Sequence, residues 1–236
     1  MNQFVLIIAV TWLAGMTAFF GGIIAMIEGS AESETKREII HGVIAFGGGI
    51  LVAAIAFALT PAGIARLGTL TLTAVFCSGG VLFCLLDVYL SRQAGSRAQF
   101  MAMLMDFVPE SISLGATFVH DKRLGFLLAA FIGAQNLPEG FNSFREMLKT
   151  GNKPYSILYT FLAISLLGPV AASVGYLLLN DHPGITAGIM NFAAGGILYL
   201  IFQDIAPQSK MRRHWAPPLG AVLGFVVGMI GKQLIG

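Results

Sequence analysis

Long apolar runs broken by short polar connectors organise this chain. Eight such stretches cover, approximately, residues 2–27, 39–59, 68–90, 98–119, 124–148, 155–179, 184–206 and 216–235. A bilayer crossing takes about 20 consecutive, mostly apolar residues, so each stretch predicts a transmembrane helix. None shows the alternation that a membrane barrel strand requires. The first stretch lacks a basic leader and a short apolar segment ending in a cleavage site, and reads as a retained helix. The expected fold is all-α, a polytopic membrane protein of eight transmembrane helices forming a single transmembrane domain over residues 1–236.

Composition strengthens this picture. Hydrophobic residues make up 56% of the chain and charged residues 11%, against about 25% charged in soluble domains. The lipid bilayer is therefore the expected surrounding, and nothing in the net charge of +2 suggests a nucleic-acid partner. Cys77 and Cys84 are seven residues apart on one predicted helix, about 10 Å along its axis, too far to pair; they read as small packing residues. Charge placement gives orientation. Arg66, Lys122, Arg123 and Lys232 lie on the side shared by both termini; Lys36, Arg37, Arg92, Arg97, Arg145, Lys149, Lys153, Lys210, Arg212 and Arg213 lie on the other. Cations accumulate on the cytoplasmic side, so both termini are expected to face outward from a cell (inner) membrane.

Two internal likenesses stand out. Helix 2 carries Phe46-Gly47-Gly48-Gly49-Ile50-Leu51 followed by Thr60-Pro61, and helix 7 carries Phe192-Ala193-Ala194-Gly195-Gly196-Ile197-Leu198 followed by Ala206-Pro207. The two helices run in opposite directions in the predicted topology, which suggests an inverted repeat of helices 1–3 and 6–8 around central helices 4 and 5. Small residues are also common wherever membrane helices touch, which leaves a chance likeness open. The central echo is more specific: Asp106-Phe107-Val108-Pro109-Glu110-Ser111 on helix 4 against Gln135-Asn136-Leu137-Pro138-Glu139-Gly140 on helix 5. A connector of a few residues around Asp121 makes these helices antiparallel neighbours, so the two motifs can meet at similar depth.

A carboxylate inside a membrane helix is costly unless paired, hydrated or metal-bound. Asp106 and Glu110 share a helix face, as do Gln135 and Glu139, with Asn136 three residues before Glu139. Pro109 and Pro138 each remove a backbone hydrogen bond and free the carbonyls of Met105 and Ala134. Such irregular backbone suits a polar cavity. A protonated carboxyl pair holding two kinked helices together is one explanation; three carboxyls and two amides exceed that need, and coordination of a divalent cation explains them better.

These motifs resemble those of the ZIP (Zrt-/Irt-like) family of divalent metal transporters, bacterial type. Helices 4 and 5 of that family carry His-Asn-x-Pro-Glu-Gly and His/Gln-Asn/Asp-x-Pro-Glu-Gly. The resemblance extends over nearly the whole chain, including the Gly-rich second and seventh helices and Asp204-Ile205-Ala206-Pro207. It implies metal ligands at Glu110 and Glu139 beside Gln135 and Asn136, and movement of Zn, Fe or Mn toward the cytoplasm. The ion is then a transported substrate, and no cofactor is expected. Departures define an atypical site. Asp106-Phe107 replaces His-Asn, Ser111 replaces the closing glycine, and Leu166-Leu167-Gly168-Pro169-Val170 lacks the glutamate many relatives have on helix 6. One main site of Asp106, Glu110, Gln135 and Glu139 is expected, with Asn136 peripheral. All-oxygen donors favour Mn²⁺ or Fe²⁺ more than imidazole does.

The Ser91-to-Gln99 connector contains no histidine to capture metal. His120, Asp121, Asp181, His182, His41 and His214 read first as interfacial polar residues, Arg145 as a solvated helix end, and Asp87 and Asp204 as structural. The sequence contains neither an ATP-binding motif nor His-Glu-x-x-His, so no enzyme is expected. A ZIP-like protein that kept the fold but lost transport, serving sensing or structure, is the alternative. A small-residue surface on helix 2 or 7 is compatible with a homodimer.

Overall fold

The computed structural model describes residues 2–29, 33–91, 96–179, 181–212 and 214–235; the side chains of 90, 91, 96–103 and 235 lie outside the description. The chain is an all-α, multi-pass membrane protein. Its long helices are α1 (Gln3–Glu28), α2 (Glu34–Arg66), α3 (Thr69–Ser91), α4 (Ser96–His120), α5 (Lys122–Lys149), α6 (Pro154–Leu178), α7 (Pro183–Gln208) and α8 (Leu219–Ile235). Among the described residues, α1, α2, α3, α6 and α7 are long and apolar enough to cross a bilayer, and α8 is a shorter apolar helix. The carboxylate-bearing α4 and α5 fall outside that group.

Local chemistry fixes the ends. Ser33 accepts from Lys36 N (3.1 Å) to start α2, five residues before the apolar stretch begins. Asp121 alone joins α4 to α5 and caps α5 by accepting from Leu124 N at 2.9 Å. Two helices share an interior break. A π-helical segment occupies Ile55–Leu59 in α2 and Ile201–Ile205 in α7, each placed just before an X-Pro pair, Thr60-Pro61 or Ala206-Pro207. Proline lacks the N–H that would continue the ladder, and a register shift absorbs the defect. Thr60 Oγ1 donates to Ile55 O at 2.7 Å, the same carbonyl that accepts the Thr60 backbone N–H.

The helices sort into two groups by their packing. In one, α1 packs on α5 and α6, and α4 on α5 and α6; in the other, α2 packs on α8 and α3 on α7. The groups meet chiefly where α2 touches α5 and α4 touches α7. Reciprocal glycines let the main pairs approach closely. A Cβ on Gly140 would lie 2.1 Å from Ala18 O, and one on Gly21 2.1 Å from Leu137 O, which clamps α1 to α5. Gly115 and Gly175 meet Ala172 O and Ile112 O in the same way and clamp α4 to α6. Both clamps flank the Pro-Glu motifs and hold them in the core.

Candidate metal centre

The single-residue link at Asp121 sets α4 and α5 antiparallel, and their motifs meet. Gln135 Nε2 donates to Glu110 Oε2 at 2.8 Å, joining the two helices through buried side chains. Glu139 lies within electrostatic reach of both Asp106 and Glu110. Asp106 and Glu110 are 5% and 2% exposed, whereas Glu139 is half-buried. Asp106 Oδ1 accepts from Phe107 N at 2.8 Å. A direct bond therefore joins two of the five expected residues, with Asp106 and Glu139 in electrostatic reach. The fifth, Asn136, commits its amide nitrogen elsewhere, donating to Ala14 O on α1 at 3.2 Å.

Among the described residues, no three His, Cys, Asp or Glu side chains form a group that could hold a metal ion by themselves. Neutral oxygens would have to complete any coordination shell. Two are present: Gln135 Oε1 and Ser111 Oγ are buried without a hydrogen-bond partner. Leaving a buried acceptor unpaired costs about 1–3 kcal/mol, and the Gln135 amide that donates to Glu110 keeps its own Oε1 without such a partner. A donor set of carboxylate and amide oxygens suits a hard or borderline divalent cation. In the sequence, Ser111 marks only the place of the motif's closing glycine.

A cavity of about 80 Å³ connects with this cluster, enough for several waters. Asp106, Pro138 and Glu139 lie along it, with Gly47 and Gly48 of α2 on one wall and Asn142, Asp204 and Gln208 on another. Asn142 Nδ2 donates to Gln208 Oε1 at 2.9 Å across α5 and α7. Asn142 sits three residues after Glu139, on the same helix face, and extending that face would have found it. Asp204 was read as structural, yet it is half-buried on the cavity wall. Opposite the cavity, the Phe107 ring is 2% exposed and wedged between glycines of two helices. A Cβ on Gly15 of α1 or Gly168 of α6 would come within 2.8 or 2.7 Å of Phe107 Cζ.

The remaining polar residues have other partners. His41 Nδ1 contacts the Gln208 carbonyl oxygen. His214 Nε2 is 3.0 Å from Glu34 Oε1, and its Nδ1 is 3.6 Å from Glu38 Oε1. Tyr199 OH donates to Asp87 Oδ2 at 2.9 Å. Arg145, expected as a solvated helix end, instead donates to Glu28 of α1 at 2.6 Å.

No protein-family model matches the chain. It is similar to a protein named zinc transporter ZupT from Clostridium perfringens, with 30% identity over 156 residues, covering 51% of this chain and 54% of the relative. It is also similar to zinc transporter GufA from Myxococcus xanthus, with 28% identity over 138 residues, covering 58% and 54%. A third relative, zinc transporter zipt-7.1 from Caenorhabditis briggsae, is 24% identical over 116 residues, covering 46% and 29%. These similarities support an assignment to the ZIP family. The chain spans about half the length, or less, of these curated relatives. Against the ZIP motif it keeps both Pro-Glu pairs and changes their surroundings, with Asp106 and Phe107 standing where that motif has His-Asn.

Proposed function

We propose that this protein moves divalent metal cations across the membrane toward the cytoplasm, through one oxygen-lined site between α4 and α5. The observation that carries the reading is the buried cluster itself: Glu110 bonded to Gln135, Asp106 and Glu139 nearby, and the unpaired buried Gln135 Oε1 among them. Asp106, Glu110, Gln135 and Glu139 are the ligands in this reading, with Asn136 as a positioning residue. Zn²⁺, Fe²⁺ and Mn²⁺ all fit the donor class. The absence of imidazole tilts the site toward Mn²⁺ or Fe²⁺; the relatives' names favour zinc. Metal and protons compete for the same carboxylate oxygens, so protonation would accompany release. Phe107 filling the space against Gly15 and Gly168 supports a single bound ion.

The same reading assigns eight transmembrane helices in a single transporter domain over residues 1–236, both termini outside the cell membrane, and a homodimer as the compatible assembly. Packing supports the inverted repeat. Exchanging helices 1, 2, 3 and 4 for 6, 7, 8 and 5 turns the α2–α8 contact into α7–α3, and α1–α5 into α6–α4, all of which exist. The paired π segments of α2 and α7 obey the same exchange. Outside labelling of a cysteine placed at Asn2, in a protein cleared of Cys77 and Cys84, is expected and tests the orientation.

Uptake of Mn²⁺, Fe²⁺, Zn²⁺ and Cd²⁺ into proteoliposomes tests the function. Wild-type flux is expected for at least one ion. Glu110→Ala and Glu139→Ala are each expected to reduce it at least tenfold, since about 1.4 kcal/mol of lost binding already gives that factor. One observation favours a second reading, the missing three-residue metal group: a ZIP protein that binds metal without carrying it, for sensing or structure. Metal binding with no flux of any of the four ions would establish that reading instead.

A further inference from the structure

Between α1 and α2 lies a groove of about 760 Å³ that shares Pro138 with the cavity beside the candidate site. Ile24, Ile39, Val43 and Phe141 form its sides, and Leu137 and Pro138 its floor. Ile24 and Ile39 are 49% and 62% exposed, so the groove opens sideways toward the bilayer rather than into the protein. It also follows the boundary between the two helix groups, because α1 packs on α5 and α6 while α2 packs on α8.

The groove's mouth is charged. Glu28 is held by Lys36 Nζ at 3.0 Å and by Arg145 at 2.6 Å, so these described side chains carry one cation in excess. The Lys36 ammonium is saturated, since it also donates to the carbonyls of Glu28 and Gly29 at 3.1 and 3.0 Å. Arg145 makes one hydrogen bond among the described residues, and its guanidinium stands 5.9 Å from the centroid of the Phe141 ring, a groove wall. A guanidinium has five N–H donors in a fork that matches phosphate.

We propose that this groove binds an anionic phospholipid, with an acyl chain between α1 and α2 and the phosphate on Arg145. The apolar walls fit a hydrocarbon chain. The surplus cation favours a net negative headgroup over a zwitterionic one, whose own ammonium cancels much of the attraction. In the orientation proposed above the mouth lies at the cytoplasmic leaflet, where anionic lipids concentrate. A bound chain would press on Leu137 and Pro138, the segment between Asn136 and Glu139.

The test is binding, independent of transport. The full chain is reconstituted in nanodiscs holding equal amounts of phosphatidylglycerol and phosphatidylcholine, and retained lipid is counted by native mass spectrometry. Wild type is expected to retain phosphatidylglycerol roughly tenfold over phosphatidylcholine, the scale of one charge-assisted contact. Arg145→Gln is expected to abolish the preference while leaving a lipid bound, and Arg145→Lys to restore part of it. Val43→Trp fills the groove without changing charge and is expected to lose both lipids. Equal retention of the two lipids by wild type overturns the proposal, and does so even if a variant fails to fold. An undiminished preference in both Arg145→Gln and Val43→Trp overturns it as well.

Discussion

Glu110 is almost fully buried and depends on one neighbour, the Gln135 amide at 2.8 Å. Gln135 presents two functions at once, a donor that holds Glu110 and an unpaired Oε1. Gln135→Leu removes both while keeping most of the volume. Stranding the Glu110 carboxyl costs about 1–3 kcal/mol, so metal-free protein is expected to melt earlier in detergent. The metal concentration giving half-maximal uptake is expected to rise at least tenfold, as about 1.4 kcal/mol of lost coordination requires; an unchanged half-saturation would remove Gln135 from the ligand set. Asp106, Glu110 and Glu139 were conspicuous in the sequence because ionisable groups in apolar helices demand a reason, and Gln135 because it shares a helix face with Glu139. Ser111 was not, because a helical serine usually bonds its own preceding turn, as Ser113 does with Pro109 O at 2.8 Å. Only the surroundings distinguish the two serines.

At the scale of elements, backbone contact between helices governs stability. Gly140 faces Ala18, where an added Cβ would stand 2.1 Å from a carbonyl oxygen and 2.6 Å from Cα. Neither atom can swing aside as a side-chain end can. Gly140→Ala is therefore expected to push α1 from α5 and to destabilise by about 1–3 kcal/mol, the cost of overpacking, read as a lower melting temperature. Gly184→Ala, where nothing lies within 4 Å of the new carbon, is expected to change it little. Apolar runs located the helices well, but hydropathy measures the membrane's thickness rather than the helix's length. That is why α2 starts at Glu34, ahead of the stretch opening near residue 39, in a polar turn capped by Ser33. The π segments were hidden too, because a helix can answer a proline by kinking or by shifting register. Pro61 and Pro207 mark where the ladder fails without saying which response follows.

For the whole molecule, the two helix groups raise the question of what moves. The site's residues sit on α4 and α5 of one group, while the cavity beside them is walled on the far side by α2 and α7 of the other. Within each group, backbones touch through paired glycines, and sliding there would lose close packing at many points. Between the groups such clamps are fewer, and the boundary is interrupted by the cavity and the α1–α2 groove. Alternating exposure of the site therefore predicts that one group shifts against the other as a unit. Leu127 of α5 and Gly231 of α8 meet across this boundary, with 3.3 Å between a Cβ on Gly231 and Leu127 Cδ1, and neither lines the cavity. Cysteines at these two positions, in a protein free of Cys77 and Cys84, joined by a short bifunctional maleimide, are expected to cut metal flux at least tenfold while metal binding persists. A single cysteine treated with the same reagent controls for bulk. Cross-linked protein that carries metal at the uncross-linked rate would mean that exposure changes within a group, and the four motif residues would then have to open and close around the ion by rearrangement of α4 and α5 alone.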